Sequence, residues 1–183
     1  MNHNDAKQDR ASLRGNERID ESAGEIAQAQ RIATASQIAQ AQRIATNGEI
    51  EKAKQMASGT FWDYLGGRIV SVDGRRCVAE LEIKSHHLNI FGMVHGGVYS
   101  SLLDSVMGVV VMASRPGQGA VTTNLNVHFT APLSQGRVRV EADIVHAASR
   151  TITAEGRVLD ENGTLCAFGT GTFRIVGDKL QPR

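Results

Sequence analysis

The sequence predicts an α+β fold in which an antiparallel β-sheet curls round one long central helix, preceded by an N-terminal helical extension. Three observations carry this. The stretch 95–113, HGGVYSSLLDSVMGVVVMA, is long enough for about five helical turns and apolar on nearly every side, so it must be enclosed. From Gly66 onward the other segments alternate apolar and polar residues with a period of two, as strands with one dry face do. All eight aromatics and all three prolines fall after residue 58, so the first third lacks the large anchors of a core.

Residues 1–58 carry an internal repeat instead. IAQAQRIAT at 26–34 recurs letter for letter at 38–46, and IEKAKQMAS at 50–58 is a looser third copy, a period of 12. Ala, Gln, Arg and Glu favour helix, and Ser36 or Asn47 with Gly48 could interrupt it, so one or more helices are expected over 22–57. Twelve residues are about three and a third turns, so equivalent isoleucines drift by about 120° per copy and no continuous coiled-coil seam forms. The extension reads as a helical tether or partner-binding arm, or as a partly ordered solvated segment, and it is assigned no chemistry.

The folded domain is expected over 59–183. Cys77, Ala79, Leu81 and Ile83 mark one strand, and a further strand precedes it. After the helix, Val121, Thr123, Leu125, Val127 and Phe129 are expected on one face of a strand, with Thr122, Asn124, Asn126, His128 and Thr130 on the other. Val138, Val140, Ala142 and Ile144 mark the next strand, Ile152, Ala154, Gly156 and Val158 the one after, and a final strand runs over about 164–176. Asp73-Gly74, Pro132 with Gly136, Ala148-Ser149 and Asn162-Gly163 supply the turns. One helix with two strands before it and four after it gives a sheet wrapped round that helix.

Composition bounds the rest. A chain of 183 residues holds one ordinary domain and an appendage. Twenty Lys and Arg against nineteen Asp and Glu leave +1, which disfavours nonspecific nucleic-acid binding. The longest apolar run, 106–113, has eight residues against the roughly 20 of a membrane-spanning helix. The opening MNHNDAKQDR has no apolar signal core, so no membrane span and a cytoplasmic setting are expected. Cys77 and Cys166 lie 89 positions apart without metal-type spacing, and adjacent His86 and His87 lack a third ligand at a recognisable spacing, so no metal is expected.

Four features point to chemistry. Asp104 lies mid-helix among Leu103, Val106 and Met107, where an unpaired carboxylate costs several kcal/mol. It is either a reactive acid or a structural aspartate bonded to Ser100, Ser101 or Thr122. His95-Gly96-Gly97 opens the helix, and each glycine in a first turn costs roughly 1 kcal/mol against alanine if helical. Bare glycine amides at a helix N-terminus can hold an oxyanion, and a tight turn is the alternative. His95 itself can be an acid or base, or a capping histidine. Asn89, in a loop with His86, His87 and Phe91, can orient a ligand or hold the loop through its backbone. No GxSxG elbow or GxxxxGK loop is present, and a serine within a helix lacks the exposed turn of a serine nucleophile.

Read as one string, HHLNIFGMVHGGVYSSLLDSVMG at 86–108 resembles the signature of hotdog-fold acyl-CoA thioesterases, particularly the phenylacetate-pathway and four-hydroxybenzoyl-CoA types. TTNLNVHFTAP at 122–132 is similar to the strand after their helix, and the likeness extends from about 61 to 176. The resemblance implies hydrolysis of an acyl-CoA thioester without a cofactor. It implies that the Gly96 N–H holds the thioester oxygen, that Asp104 attacks the carbonyl or activates water, and that Asn89 orients water or substrate. Thr122 would support the reacting water, although many relatives carry serine there and strict alternation puts Thr122 on the polar side of its strand. His95 stands with these catalytic candidates. The groups would be divided between two subunits, Asp104 and Thr122 facing Asn89 and Gly96 of the partner subunit, in a homodimer or dimer of dimers. Gly97, Phe91, Tyr99 and Arg150 are candidates for substrate binding, with Arg115 and Arg174 as further partners for coenzyme A phosphates and Met107 as core or pocket lining. Two other functions fit the same fold: an acyl-CoA-sensing module whose N-terminal helices engage a partner, and a hydratase or dehydratase using His95 with Asp104.

Overall fold

The structure is a computed structural model and describes residues 57–177. The repeats, and the helices expected on them, lie outside the described residues apart from Ala57 and Ser58. A short helix α1 (Phe61–Leu65) stops at Gly66, whose φ of 77° is left-handed and whose N–H bonds back to the Asp63 and Trp62 carbonyls. Strands β1 (Arg68–Val72) and β2 (Arg76–Glu82) follow, then a single 3-10 turn at Ser85–His87 and the long helix α2 (Gly96–Ser114). Strands β3 (Gly119–Phe129), β4 (Arg137–Ala147), β5 (Thr151–Asp160) and β6 (Leu165–Val176) complete the chain. This is the two-plus-four arrangement expected from the periodicity.

The six strands form one sheet in the order β1-β2-β4-β5-β6-β3, every neighbouring pair antiparallel, and α2 packs against all six. Leu102, Leu103, Val106, Met107, Val110 and Val111 of α2 are fully buried against inward residues such as Leu81, Val140, Ile152 and Phe173. At about 1.5–3 kcal/mol per large side chain, this layer dominates stability. The outer face of the sheet carries exposed pairs such as Arg68–Glu80 and Arg76–Glu141, each worth about 1 kcal/mol at most.

Two expectations are corrected. The helix is not enclosed on every side. Its buried residues recur every four positions, and the opposite stripe of Asp104, Ser105, Gly108, Val109 and Met112 opens onto a cleft, with Met112 44% exposed. The α2 segment is long and apolar enough to cross a membrane by length and composition, yet its other stripe is the core of the sheet.

The second correction concerns β3. Its register against β6 slips between Thr122 and Asn124, so Thr123 is an extra residue, a β-bulge. Uniform alternation would place Thr122 outward. The bulge instead puts Ala120 and Thr122 on the side of Leu125 and Val127, facing α2, because Thr122 pairs with the buried Phe173 while Val121 pairs with the exposed Arg174.

Candidate functional site

Asp104 and Thr122 meet across the helix–sheet gap. The Thr122 hydroxyl donates to Asp104 Oδ1 at 2.8 Å, so the bulge on β3 is what aims this hydroxyl at the carboxylate. Asp104 is half-buried rather than sunk in the apolar core, and its Oδ2 has no hydrogen-bond partner among the described residues. The two neighbouring serines are spent on the helix itself: Ser100 Oγ donates to the Gly96 carbonyl at 3.0 Å and Ser101 Oγ to that of Gly97 at 2.7 Å. Neither is set up as a nucleophile.

The cleft holding this pair has a volume of ≈ 540 Å³, within the range of small-molecule sites. Its far wall comes from Trp62 of α1 and from Ile69 and Val72 of β1, while Gly108, Val109 and Met112 continue the α2 face beyond Asp104. Sequence reasoning missed this wall entirely. The available signal was Gly108, a glycine within an apolar helix at a cost of about 1 kcal/mol against alanine.

A second cleft of ≈ 360 Å³ lies at the other end of α2, lined by Asn89, Met93, Gly96, Tyr99, Phe129 and Thr130 among others. His95 caps the helix there: its Nδ1 accepts from the Gly97 N–H at 2.9 Å, and its carbonyl accepts from the Val98 N–H at 2.9 Å. With those two amides taken, the Gly96 N–H is left without a hydrogen bond among the described residues. A side chain at Gly96 would press on Phe129, whose ring would lie 3.2 Å from the added Cβ. Gly96 lines this cleft at the positive end of the helix dipole.

Asn89 holds its loop, one of the two roles its sequence context allowed. Its Oδ1 accepts from the Phe91 and Met93 N–H groups at 2.9 and 3.2 Å, which fixes the loop and leaves the Nδ2 donors without a partner among the described residues. Tyr99 lines the same cleft, and its buried hydroxyl has no hydrogen-bond partner among the described residues; burial pushes its phenol well above the ordinary tyrosine value. Phe91 is 76% exposed and lines neither cleft, and the Gly97 amide is already used by His95. Arg150 sits at the β4–β5 turn with its carbonyl bonded to the Ile175 N–H, next to Arg174 and close to the Ala148 carbonyl that Arg115 approaches at 3.4 Å. None of these three arginines forms a salt bridge among the described residues.

His87 is structural. It is 1% exposed, its Nδ1 accepts from the Lys84 N–H at 2.9 Å, and its Nε2 lies 3.0 Å from the Leu65 carbonyl, which makes it a neutral donor there. Its backbone carbonyl also accepts from the His95 N–H at 2.9 Å, so one buried residue ties α1 and the start of α2 together. The Cys77 and Cys166 thiols are free and buried, and burial pushes Cys77 up to about 12, so it is no nucleophile.

Within one protomer the two halves stay apart. Asp104 is eight residues along α2 from Gly96, about 12 Å by helical rise, whereas one thioester carbonyl must lie about 3 Å from both its oxyanion donor and its attacking group. His95 is farther still from Asp104, so the histidine–carboxylate pair of a hydratase is not assembled within the protomer.

Residues 91–167 match the family profile described as thioesterase superfamily. A solved structure of a mutant of the phenylacetic acid degradation protein PaaI from Thermus thermophilus is 30% identical, with a TM-score of 0.58 over 62% of this chain and 96% of that one. Acyl-coenzyme A thioesterase 13 of Mus musculus is 24% identical over 104 residues, 49% of this chain and 74% of the mouse protein. A thioesterase structure from Haemophilus influenzae, 18% identical, shares the fold with a TM-score of 0.69 over 78% of this chain and 98% of its own.

Proposed function

Because this chain belongs to the thioesterase superfamily and has its hotdog fold, we propose that it hydrolyses acyl-CoA thioesters in a homodimer whose active sites each draw on both subunits. The observation that carries this reading is the split just described: a carboxylate with a free oxygen in one cleft, a bare helix-terminal amide in the other. Thioester hydrolysis needs both, since negative charge develops on the carbonyl oxygen while a base or nucleophile works at the carbon.

Strand β3 offers the means of joining them. It is an edge strand of 11 residues, with Val121 and Phe129 exposed at 41% and 58%. Such an edge invites a second strand. Thr122 lies near one end of β3 beside Asp104, and Phe129 lies at the other beside Gly96. Antiparallel pairing of two copies about a two-fold axis at Asn126 sets Leu125 opposite Val127 of the partner subunit, both on the inner face, and, with the bulged Thr123 passed over, Thr122 opposite Phe129 of the partner subunit. The carboxylate cleft of one copy then adjoins the amide cleft of the other.

In the assembled site the Gly96 N–H holds the thioester oxygen and Asn89 Nδ2 donates to substrate or water. Thr122 fixes Asp104 through Oδ1, leaving Oδ2 to take a proton from water or to attack the carbonyl directly. On the water route the oxygen adds to the carbonyl carbon, its proton passes to Asp104, the C–S bond breaks and the thiolate is reprotonated. His95 serves by capping the helix, which keeps Gly97 occupied and Gly96 free. Arg150, Arg174 and Arg115 are the cations available for coenzyme A phosphates.

The test follows released thiol from matched substrates, an acyl-CoA and the N-acetylcysteamine thioester of the same acid. The expected result is a kcat/KM at least about 10-fold higher for the CoA ester, with Arg174→Glu narrowing the gap mainly through KM, since phosphate contacts are remote from the reacting carbon. Equal rates for the two thioesters would contradict recognition of coenzyme A.

A further inference from the structure

We propose that Gly108 is the residue that sets acyl-group specificity, holding open a channel along α2 that receives a medium-length apolar acyl chain. This inference rests on the thioesterase reading and adds the substrate class to it. Most inward glycines of this domain are demanded by packing. A Cβ at Gly169 would lie 2.3 Å from the Asn126 carbonyl oxygen, and one at Gly171 would lie 2.8 Å from the Phe173 ring. Gly108 differs. The nearest atom to a Cβ built there is Phe173 Cε1 at 3.7 Å, an ordinary contact, so the protein's own packing would accept alanine. Helix propensity favours alanine as well. A glycine therefore stands where neither backbone nor core requires one, and the space it leaves belongs to the cleft that contains Asp104.

Its position fits a role in substrate binding. Gly108 lies four residues beyond Asp104 and Met112 four beyond that, so the three share one face of α2 and line the same cleft. The facing wall is apolar, made by Trp62, Ile69 and Val72. Trp62 is itself seated against the chain, because a Cβ at Gly67 would come within 2.5 Å of its ring. From Asp104 to Met112 the helix rises about 12 Å. Bonds of about 1.5 Å at about 111° advance an extended acyl chain by about 1.25 Å per carbon, so roughly eight to ten carbons span that length. An acetyl group would leave the wall unpaired with any apolar surface, whereas an octanoyl chain would cover it.

The experiment measures kcat/KM of the wild-type protein and of Gly108→Ala and Gly108→Leu with acetyl-, butyryl-, octanoyl- and phenylacetyl-CoA, following thiol release, with thermal melts of all three proteins. Octanoyl-CoA is expected to be the best substrate. The octanoyl-to-butyryl ratio is expected to fall several-fold in the alanine variant and at least 10-fold in the leucine variant. Gly108→Ala, which makes no contact closer than 3.7 Å, is expected to melt at or above the wild-type temperature and keeps the test decisive if the leucine variant does not fold. A ratio unchanged in Gly108→Ala and in any folded Gly108→Leu, or a wild-type preference for acetyl- or phenylacetyl-CoA, overturns this inference while leaving the thioesterase reading intact. Absence of thiol release from every acyl-CoA overturns both.

Discussion

Replacing Asp104 with asparagine lowers kcat by about 100-fold or more while KM changes little and the protein folds as before. Asparagine keeps the shape of the side chain and can still accept the Thr122 hydroxyl, the 2.8 Å bond that positions the carboxylate. What it loses is the charge and the basicity of the second oxygen. The loss should therefore fall on the chemical step, because only interactions stronger in the transition state than in the ground state govern it. Thr122→Val is the informative companion. It removes the positioning hydroxyl but leaves the carboxylate, so its effect on kcat should be smaller than that of Asp104→Asn. Steady-state kinetics on both variants, with their melting temperatures, make the comparison. A variant lacking the Asp104 carboxylate that retains wild-type kcat would remove Asp104 from the reaction.

The largest stability effect is expected at a residue without a place in the chemistry. His87→Ala should destabilise the domain by about 3–5 kcal/mol, since it leaves a cavity and deprives the Lys84 N–H and the Leu65 carbonyl of their partners. For a domain of this size that is a fall in melting temperature of order 10 °C or more. Burial, followed by the neighbouring His86 charge, holds the His87 imidazole below the ordinary histidine value, opposed by its bond to Leu65 and aided least by the Lys84 charge. A folded-state value below the unfolded one means that the unfolded chain binds the proton more readily. The contribution of His87 is accordingly complete above about pH 6.5 and is lost as pH falls from there towards its folded value. Chemical denaturation between pH 5 and 8 should show that fall in the wild type and a flatter profile in His87→Phe, which cannot titrate. Equal slopes would show that His87 is not the group responsible.

Much of the fold was legible because periodicity reports burial directly. The alternation in β4 and β5 and the unbroken apolar run of α2 each have one physical explanation, and the strands and helix fall where those patterns put them. What escaped is where one residue changes the count. The bulge at Thr123 turns Thr122 from the outer face to the inner one, and nothing in TTNLN distinguishes a bulged strand from a regular one. The helix was likewise legible as apolar but not as two-sided. Val109 and Met112 look like core in the sequence and instead line a cleft, since which apolar stripe meets the sheet depends on partners distant in the chain. Among the candidate site residues, Gly96, Asn89, Asp104 and Thr122 all reach a cleft, because a glycine pair at a helix start and a carboxylate within it are costly features with local signatures. Phe91 carried no such signature and lies in the open.

The division of the site between subunits is best tested by mixing two defective proteins. Asp104→Asn removes the acid from one half-site, and Asn89→Asp removes the amide donor from the other while keeping the acceptor that holds its loop. If each site draws on both chains, a mixed dimer has one doubly altered site and one intact site. Random reassociation of equal amounts makes half the dimers mixed, so about one quarter of wild-type activity should return. Activity that stays at the average of the two separate variants, in samples shown to have exchanged subunits, would contradict the shared site.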